Sequence, residues 1–312
     1  METNEIKWGV IVNPNAGSGK CQKNWPTIQK LIKRAKIEFD AEHTARKGHA
    51  IELTHQFLEK GYRKIIVVGG DGTLNEVVNG IFYHQSLDPK EITLAMVPVG
   101  TGNDWCRTFG VPDKYIDAIK LIRDEKTVIQ DIGLVDFHNN GFAQRYFANV
   151  AGIGFDASVA HAANKLKDQG KGNALSYMII LLKTLLKYNS KFMQLSVGEK
   201  EFKERMFSIS IGIGKYNGGG MKQLPNAIPN DGLLDATIIK KISKWTVIKE
   251  LKGLYDGSFI THPRIEALQS NQIYFAENQL EVETDGESVG EGPRNFSILP
   301  KALRVVGSFK AD

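Results

Sequence analysis

A chain of 312 residues, 42% hydrophobic and 24% charged, can bury a large core, and its length points to two domains. Its two cysteines, Cys21 and Cys106, give neither a disulfide framework nor metal-finger spacing, and its first residues lack the layout of a signal peptide, so a reduced, cytoplasmic protein is expected. The net charge of +5 suits an anionic membrane surface or a polyanionic substrate, while no basic motif interleaved with aromatics points to nucleic acid.

Trp8–Val12 reads as a first buried strand, followed by NPNAGSGK (Asn13 to Lys20). A helix comes next, with Trp25, Ile28, Ile32 and Ala35 on one face and Pro26 in its first turn. The loop is not a P-loop sequence, which needs Gly where Pro14 stands and Ser or Thr where Cys21 stands; a plain strand-to-helix turn is the alternative. A second strand near Ile37–Ala41 leads to a helix carrying Ile51, Leu53, Thr54, Phe57 and Leu58. Thr44 lies at the carboxyl end of that strand, the edge where open α/β sheets bind ligands.

The stretch Lys64–Phe82, KIIVVGGDGTLNEVVNGIF, organises the chain. Ile65–Val68 is a short β-branched run suited to a strand buried on both faces, and Leu74, Val77, Val78 and Ile81 fall on one face of a helix. Between them Gly69, Gly70, Asp71 and Gly72 let a ligand approach the backbone, and a helix start offers unpaired N–H groups to an anion. Asp71 would repel a bare phosphate; a divalent cation between carboxylate and phosphate removes the conflict, so the stretch reads as a Mg-nucleotide site. Thr73 and Glu76 also spell T-x-x-E, a capping box that would do no more than start the helix.

Another strand, Ile92–Val97, ends in PVGTGNDWCRTFG, where Asn103 or Asp104 suits an N-cap. Three glycine-bearing turns at one sheet edge weigh more than one. The alternation of strand and helix up to about Lys120 predicts a doubly wound parallel sheet over residues 1–133. From 134 to 297 the pattern changes to antiparallel β. VIQDIGLVDF and FAQRYFANV form a hairpin around Asn140-Gly141, FMQLSV and RMFSISIGIG flank another, and NQIYFA and QLEVET add strands. Phe296–Leu299 and Ala302–Val306 are further strand pieces that could return to either domain.

Residues 161–191 interrupt the strands with an apolar helix, Ser176–Tyr188, broken by Lys183 and Lys187. Lys165, Lys167, Lys171 and Lys191 add to its basic character, with Asp168 the only acid. Either the helix touches an anionic membrane surface or it covers a sheet with its lysines in water; we favour the second, since apolar helix faces mostly pack on their own core.

Taken together, NPNAGSGK, GGDGTLNEVVNG, PVGTGNDWCRTFG, NGGGMKQLPNAIPNDGLLD and VETDGE resemble the diacylglycerol kinase catalytic family, in particular its soluble bacterial lipid kinases related to sphingosine and ceramide kinases. The likeness spans nearly the whole chain. GGDGT alone also occurs in NAD kinases; Trp105-Cys106 departs from the more frequent Phe-Ala. The resemblance implies an α/β nucleotide domain, to which residues 298–312 return, and a β-sandwich lipid-substrate domain, with the site in the cleft. It implies ATP-binding positions at Asn13, Pro14, Asn15, Ala16 and Gly17, at Thr44, at Gly69, Gly70, Asp71, Gly72, Thr73, Leu74, Asn75 and Glu76, and at Thr101. It implies an acidic network of Asp71, Asp104 and Asp131 around a catalytic Mg²⁺, and a structural metal on the Asp231 carboxylate and the carbonyls of Ile228 and Leu233, where an Asx-turn is the plainer reading. It makes Glu287 the general base that takes the proton of a lipid hydroxyl.

The expected function is transfer of the ATP γ-phosphate to a membrane lipid, diacylglycerol or a related glycerolipid or sphingolipid, with peripheral contact at the inner face of the membrane left open. An NAD kinase-like enzyme and a non-catalytic nucleotide- or lipid-binding regulator are the rivals. Monomer and homodimer are both open.

Overall fold

Short apolar runs build the first sheet. In chain order come β1 (Trp8–Val12), α1 (Lys20–Arg34), β2 (Phe39–His43), α2 (His49–Glu59), β3 (Lys64–Gly69), α3 (Asp71–Tyr83), β4 (Thr93–Pro98), α4 (Asp104–Thr108) and α5 (Tyr115–Arg123). The structure is a computed structural model that describes residues 7–137, 144–168, 174–276 and 279–309. The chain divides into two units, Met1–Gln130 with Lys301–Asp312, and Asp131–Pro300.

In the first unit β1 lies between β2 and β3, and β3 pairs onward with β4, all parallel. Val10, Val12, Ile66, Val68, Ala95 and Val97 turn to one face and pack on Ile28 and Ile32 of α1 and Ile119 and Ile122 of α5. The other face receives α2, whose Phe57 ring lies so close to Gly9 that a methyl there would meet it at 2.8 Å. Helices on both faces make the sheet doubly wound, as the alternation predicts. Each fully buried Val or Ile contributes about 1.5–3 kcal/mol relative to exposure. The strand order 2-1-3-4 reverses direction between β1 and β3, so their carboxyl ends flank the crevice where ligands bind in such sheets.

Two local expectations are corrected. Pro26 sits inside α1 and not in its first turn, because Ser18 and Gly19 take left-handed φ values of 58° and 82° and turn the chain into the helix at Lys20. Ile37 belongs to the turn that follows Lys36 (φ 57°), so β2 starts only at Phe39.

The chain enters the second unit along β5 (Thr127–Phe137) and continues through β6 (Gln144–Phe147), β7 (Val150–Gly154), α6 (Phe155–Asp168), α7 (Ala174–Lys187), β8 (Lys191–Val197) and β9 (Lys200–Gly212). It ends with β10 (Leu234–Lys240), α8 (Lys244–Lys249), α9 (Leu251–Asp256), β11 (Ile265–Ser270), β12 (Gln272–Phe275), β13 (Glu281–Thr284), β14 (Glu287–Glu291) and β15 (Pro293–Val306). The pairing is antiparallel: β9 joins β7, β8 and β10, β10 joins β11, and β13 joins β7 and β14. Phe147, Ile153, Met193, Phe202, Ile209, Ile211, Val282 and Phe296 fill its core. β5 and β6 pair from Gly133↔Phe147 to Asp136↔Gln144, while the Asn140-Gly141 turn lies outside the described residues.

Phe296–Leu299 and Ala302–Val306 are not separate pieces. They belong to one strand, β15, which pairs with β12 near its start and runs parallel to β4 at Arg304↔Thr93. Helices α6, α8 and α9 were not expected from the sequence. Helix α7 packs Ile180, Leu181 and Leu185 with Phe155 and Val159 of α6 and Phe207 of β9, so it does cover its own core. Lys171 and the side chains of Lys167, Asp168 and Ser176 lie outside the described residues. Among the described residues no helix is long and apolar enough to cross a membrane.

Candidate active site

Three turns leave the carboxyl edge of the parallel sheet and lock together through main chain. Gly17, at φ 60° in the loop after β1, stands where a side chain would meet the carbonyl oxygen of Val99 at 2.3 Å. Gly70, after β3, faces Gly100, after β4: a Cβ on Gly70 would come 3.1 Å from the Gly100 Cα. These contacts need glycine, which lets backbones approach without a Cβ. The Asn13 amide donates to Thr73 Oγ1 at 2.8 Å, tying the first loop to α3, and its Oδ1 accepts from the Asn15 N–H at 3.0 Å. Thr44, buried after β2, donates its N–H to the Val12 carbonyl at the same edge.

The capping box does not form. The N-cap of α3 is Gly70, which brings no side chain. Thr73 accepts from Asn13, and Glu76 reaches across to accept from the N–H groups of Gly48 (2.8 Å) and Ala50 (3.1 Å) at the start of α2. A helix start without a side-chain cap is an anion site in waiting. Thr73, Leu74 and Asn75 are buried, so a ligand at the turn would meet their main chain and not their side chains. Thr101 is exposed on the third turn.

Asp71 is the first residue of α3, yet it caps another helix. Its carboxylate accepts from the N–H groups of Asp104 and Trp105, both at 3.2 Å, at the start of α4. Asp104 is 5% exposed, with Arg107 3.6 Å from its Oδ1. The Oδ2 atoms of Asp71 and Asp104 lie 3.1 and 3.3 Å from the position a Cβ on Gly102 would take, so the two carboxylates converge on a cradle that only a glycine leaves open. Beside them Asn103, at φ 52°, donates to the Gly100 carbonyl, and its buried Oδ1 finds no partner among the described residues. The two converging carboxylates are hard-oxygen donors of the kind a magnesium ion accepts. No group of three or more His, Cys, Asp or Glu side chains converges among the described residues. Two carboxylates suffice for magnesium, which keeps waters and takes its remaining oxygens from phosphates. The residues fit the ion.

Asp131 is the third acid of the expected network. It belongs to the second unit, where its Oδ2 accepts from the Gly232 N–H at 2.7 Å and its own N–H donates to the Pro229 carbonyl. That turn carries Ile228, Asp231 and Leu233, and the Asp231 Oδ1 accepts from the Leu233 N–H at 3.0 Å, the Asx-turn geometry.

Glu287 opens β14 directly after a two-residue turn, Asp285 (φ 50°) and Gly286 (φ 81°), the pattern of a type I′ hairpin. Asp285 is 6% exposed and accepts from the N–H groups of Ala148, Asn149 and Val150 at 2.9, 3.0 and 3.2 Å. Behind it Glu283 accepts from the Gly286 N–H at 2.8 Å and from Asn217 at 3.1 Å, and burial pushes its carboxyl up to about 8. Asp156, at the start of α6, accepts from Ser210, and loss of water raises it to about 6. Sequence reasoning missed this network. Its signals were the cluster Asn217-Gly218-Gly219-Gly220 and the run VETDGE, which holds Glu283 and Asp285, both read only as parts of motifs.

Residues 7–135 match the model of the diacylglycerol kinase catalytic domain, and residues 149–307 match that of the YegS C-terminal NAD kinase beta sandwich-like domain. The chain is 30% identical over 299 residues to a diacylglycerol kinase of Staphylococcus haemolyticus, covering 95% of this chain and 86% of that one. It is 27% identical over 298 residues to a diacylglycerol kinase of Staphylococcus carnosus, covering 95% and 93%. The crystal structure of a diacylglycerol kinase from Bacillus anthracis superposes with a TM-score of 0.69 at 25% identity, covering 98% of each chain. The motifs, the two-unit architecture and these matches agree, and the chain belongs to the diacylglycerol kinase family as a lipid kinase.

Proposed function

We propose that the protein transfers the terminal phosphate of ATP, with Mg²⁺, to a hydroxyl of diacylglycerol or a closely related membrane lipid. The observation that carries this reading is the convergence of Asp71 and Asp104 over Gly102, at the mouth of three interlocked turns beside the topological switch point.

In this mechanism the first-turn amides of α3 and the Asn13–Gly17 loop bind the nucleotide's phosphates, with Thr44, Gly69, Gly70, Glu76 and Thr101 shaping the rim. Asp71 and Asp104 would hold the cation, which would supply charge neutralisation for phosphoryl transfer. Glu287 orients the lipid hydroxyl and takes its proton; the Asp285 turn fixes the backbone from which it projects. Asp131 steadies the Asp231 turn, where the carbonyls of Ile228 and Leu233 with Asp231 would hold a structural cation.

The test is incubation with labelled ATP and magnesium together with a total lipid extract or NAD. Label in a lipid extracted into the organic phase is expected. Label in NADP, or in neither product, overturns the reading.

A further inference from the structure

The second unit exposes an apolar surface that its own core does not use. One side of α7 is buried through Leu181 and Leu185, but the opposite side is apolar too. Met178, Leu182 and Leu186 recur at helical spacing with Ile179 beside them, and all four are exposed, Leu186 to 69%. Helix α8 extends the patch. Its Val247 joins the core, while Trp245 is 65% exposed and Ile248 also faces outward. The Lys244 ammonium donates to the Leu186 carbonyl, so the start of α8 abuts the end of α7.

Lysines border this stripe. Lys183 and Lys187 follow one flank of α7, and Lys249 stands 6.0 Å from the Trp245 ring. Residues 177–191 contain no Asp or Glu, and residues 241–252 contain only Glu250. A second copy of the chain on this face would set lysines against lysines, and like charges brought together disfavour association. A bilayer rich in anionic lipid offers the opposite sign. It also suits a tryptophan at the water interface and lysines whose stems follow apolar surface to a charged head.

We propose that the α7–α8 face is a membrane-docking surface, with Leu182, Leu186 and Trp245 seated at the boundary of headgroups and acyl chains and Lys183, Lys187 and Lys249 at the level of the lipid phosphates. The proposal deepens the lipid-kinase reading and rests on it for purpose. Helix α7 thus does both things the sequence set against each other: one face covers the core, and the other is left for lipid.

The experiment is co-sedimentation of the full chain with phosphatidylcholine vesicles containing or lacking phosphatidylglycerol. The native chain should bind the anionic vesicles. Lys183→Gln with Lys187→Gln should weaken that binding roughly 30-fold, near 1 kcal/mol per lysine. Leu186→Ser with Trp245→Ser should weaken it about tenfold or more, with an unchanged melting curve as the check on folding. Native-like vesicle binding by both double variants, or no binding by the native chain, overturns the proposal. So does a native dimer, seen by light scattering, that these substitutions dissociate. Phosphorylation of a short-chain, water-dispersed diacylglycerol separates the two readings. Its absence beside intact vesicle binding defeats the kinase reading alone; its presence beside unaltered binding of the variants defeats the docking surface alone.

Discussion

Asp71 and Asp285 each precede a glycine, and each receives N–H groups from a neighbouring segment of its own unit. Asp71 is half-buried and takes two bonds at 3.2 Å from the start of α4, next to a second carboxylate. Asp285 is buried and takes three bonds, the shortest at 2.9 Å, from the segment leading into β7. The first carboxylate stands beside another acid at the head of α4, the pairing on which the proposed cation site rests. The second gathers three consecutive N–H groups and clasps the turn that precedes Glu287 to the segment leading into β7. An Asp-Gly pair in sequence does not reveal which segment its carboxylate will gather; the fold does.

Substitution can break that contrast. Asp71→Ala should abolish phosphate transfer, by about 10³-fold or more given what positioned charge is worth at such sites. Its fold should survive, at about 1 kcal/mol for the lost cap on α4. Turnover near the native value would reduce Asp71 to a cap. Glu287→Gln should lower kcat by about 10²- to 10⁴-fold while ATP binding and the melting temperature stay put; a titration of nucleotide binding alongside turnover checks both. Asp285→Ala should act on stability first, costing about 3 kcal/mol or more by stranding buried N–H groups, as denaturant unfolding would record. If it unfolds no more easily than the native chain, the clasp is disproved.

A smaller effect concerns pH. The Glu283 carboxyl keeps its proton up to about 8 in the fold, whereas an unfolded glutamate releases it near 4.3. Across that window the native state binds more protons than the unfolded state, so the contribution to stability is complete below the lower value and is lost as pH rises to the upper one. The slope is at most about 1.4 kcal/mol per pH unit. Glu283→Gln should flatten the fall in melting temperature over the same range, and an unchanged slope would locate the effect elsewhere.

The parallel sheet and its three turns were readable because buried strands and amphipathic helices carry strong periodicities and because glycine marks close backbone approach. Glu76 shows where reading fails. Three residues after Thr73 it looked like a local cap, yet its partners, Gly48 and Ala50, are distant in sequence and adjacent only after folding. Asp131 was joined to Asp71 and Asp104 only through the family resemblance, and its bond to the Gly232 N–H links residues too far apart in sequence to leave a local signal. Helix α8 escaped notice because it is short and two of its apolar residues, Trp245 and Ile248, face water, which erases the pattern that reveals a helix.

The glycine contacts of the first unit carry one more consequence. With Gly17 resting on Val99 and Gly70 on Gly100, no turn can shift without its neighbours. If a nucleotide binds here as proposed, little disorder would remain to be frozen on its arrival. On the proposed reading this half of the enzyme would be a preset die, and adapting the protein to a different alcohol would fall to side chains elsewhere.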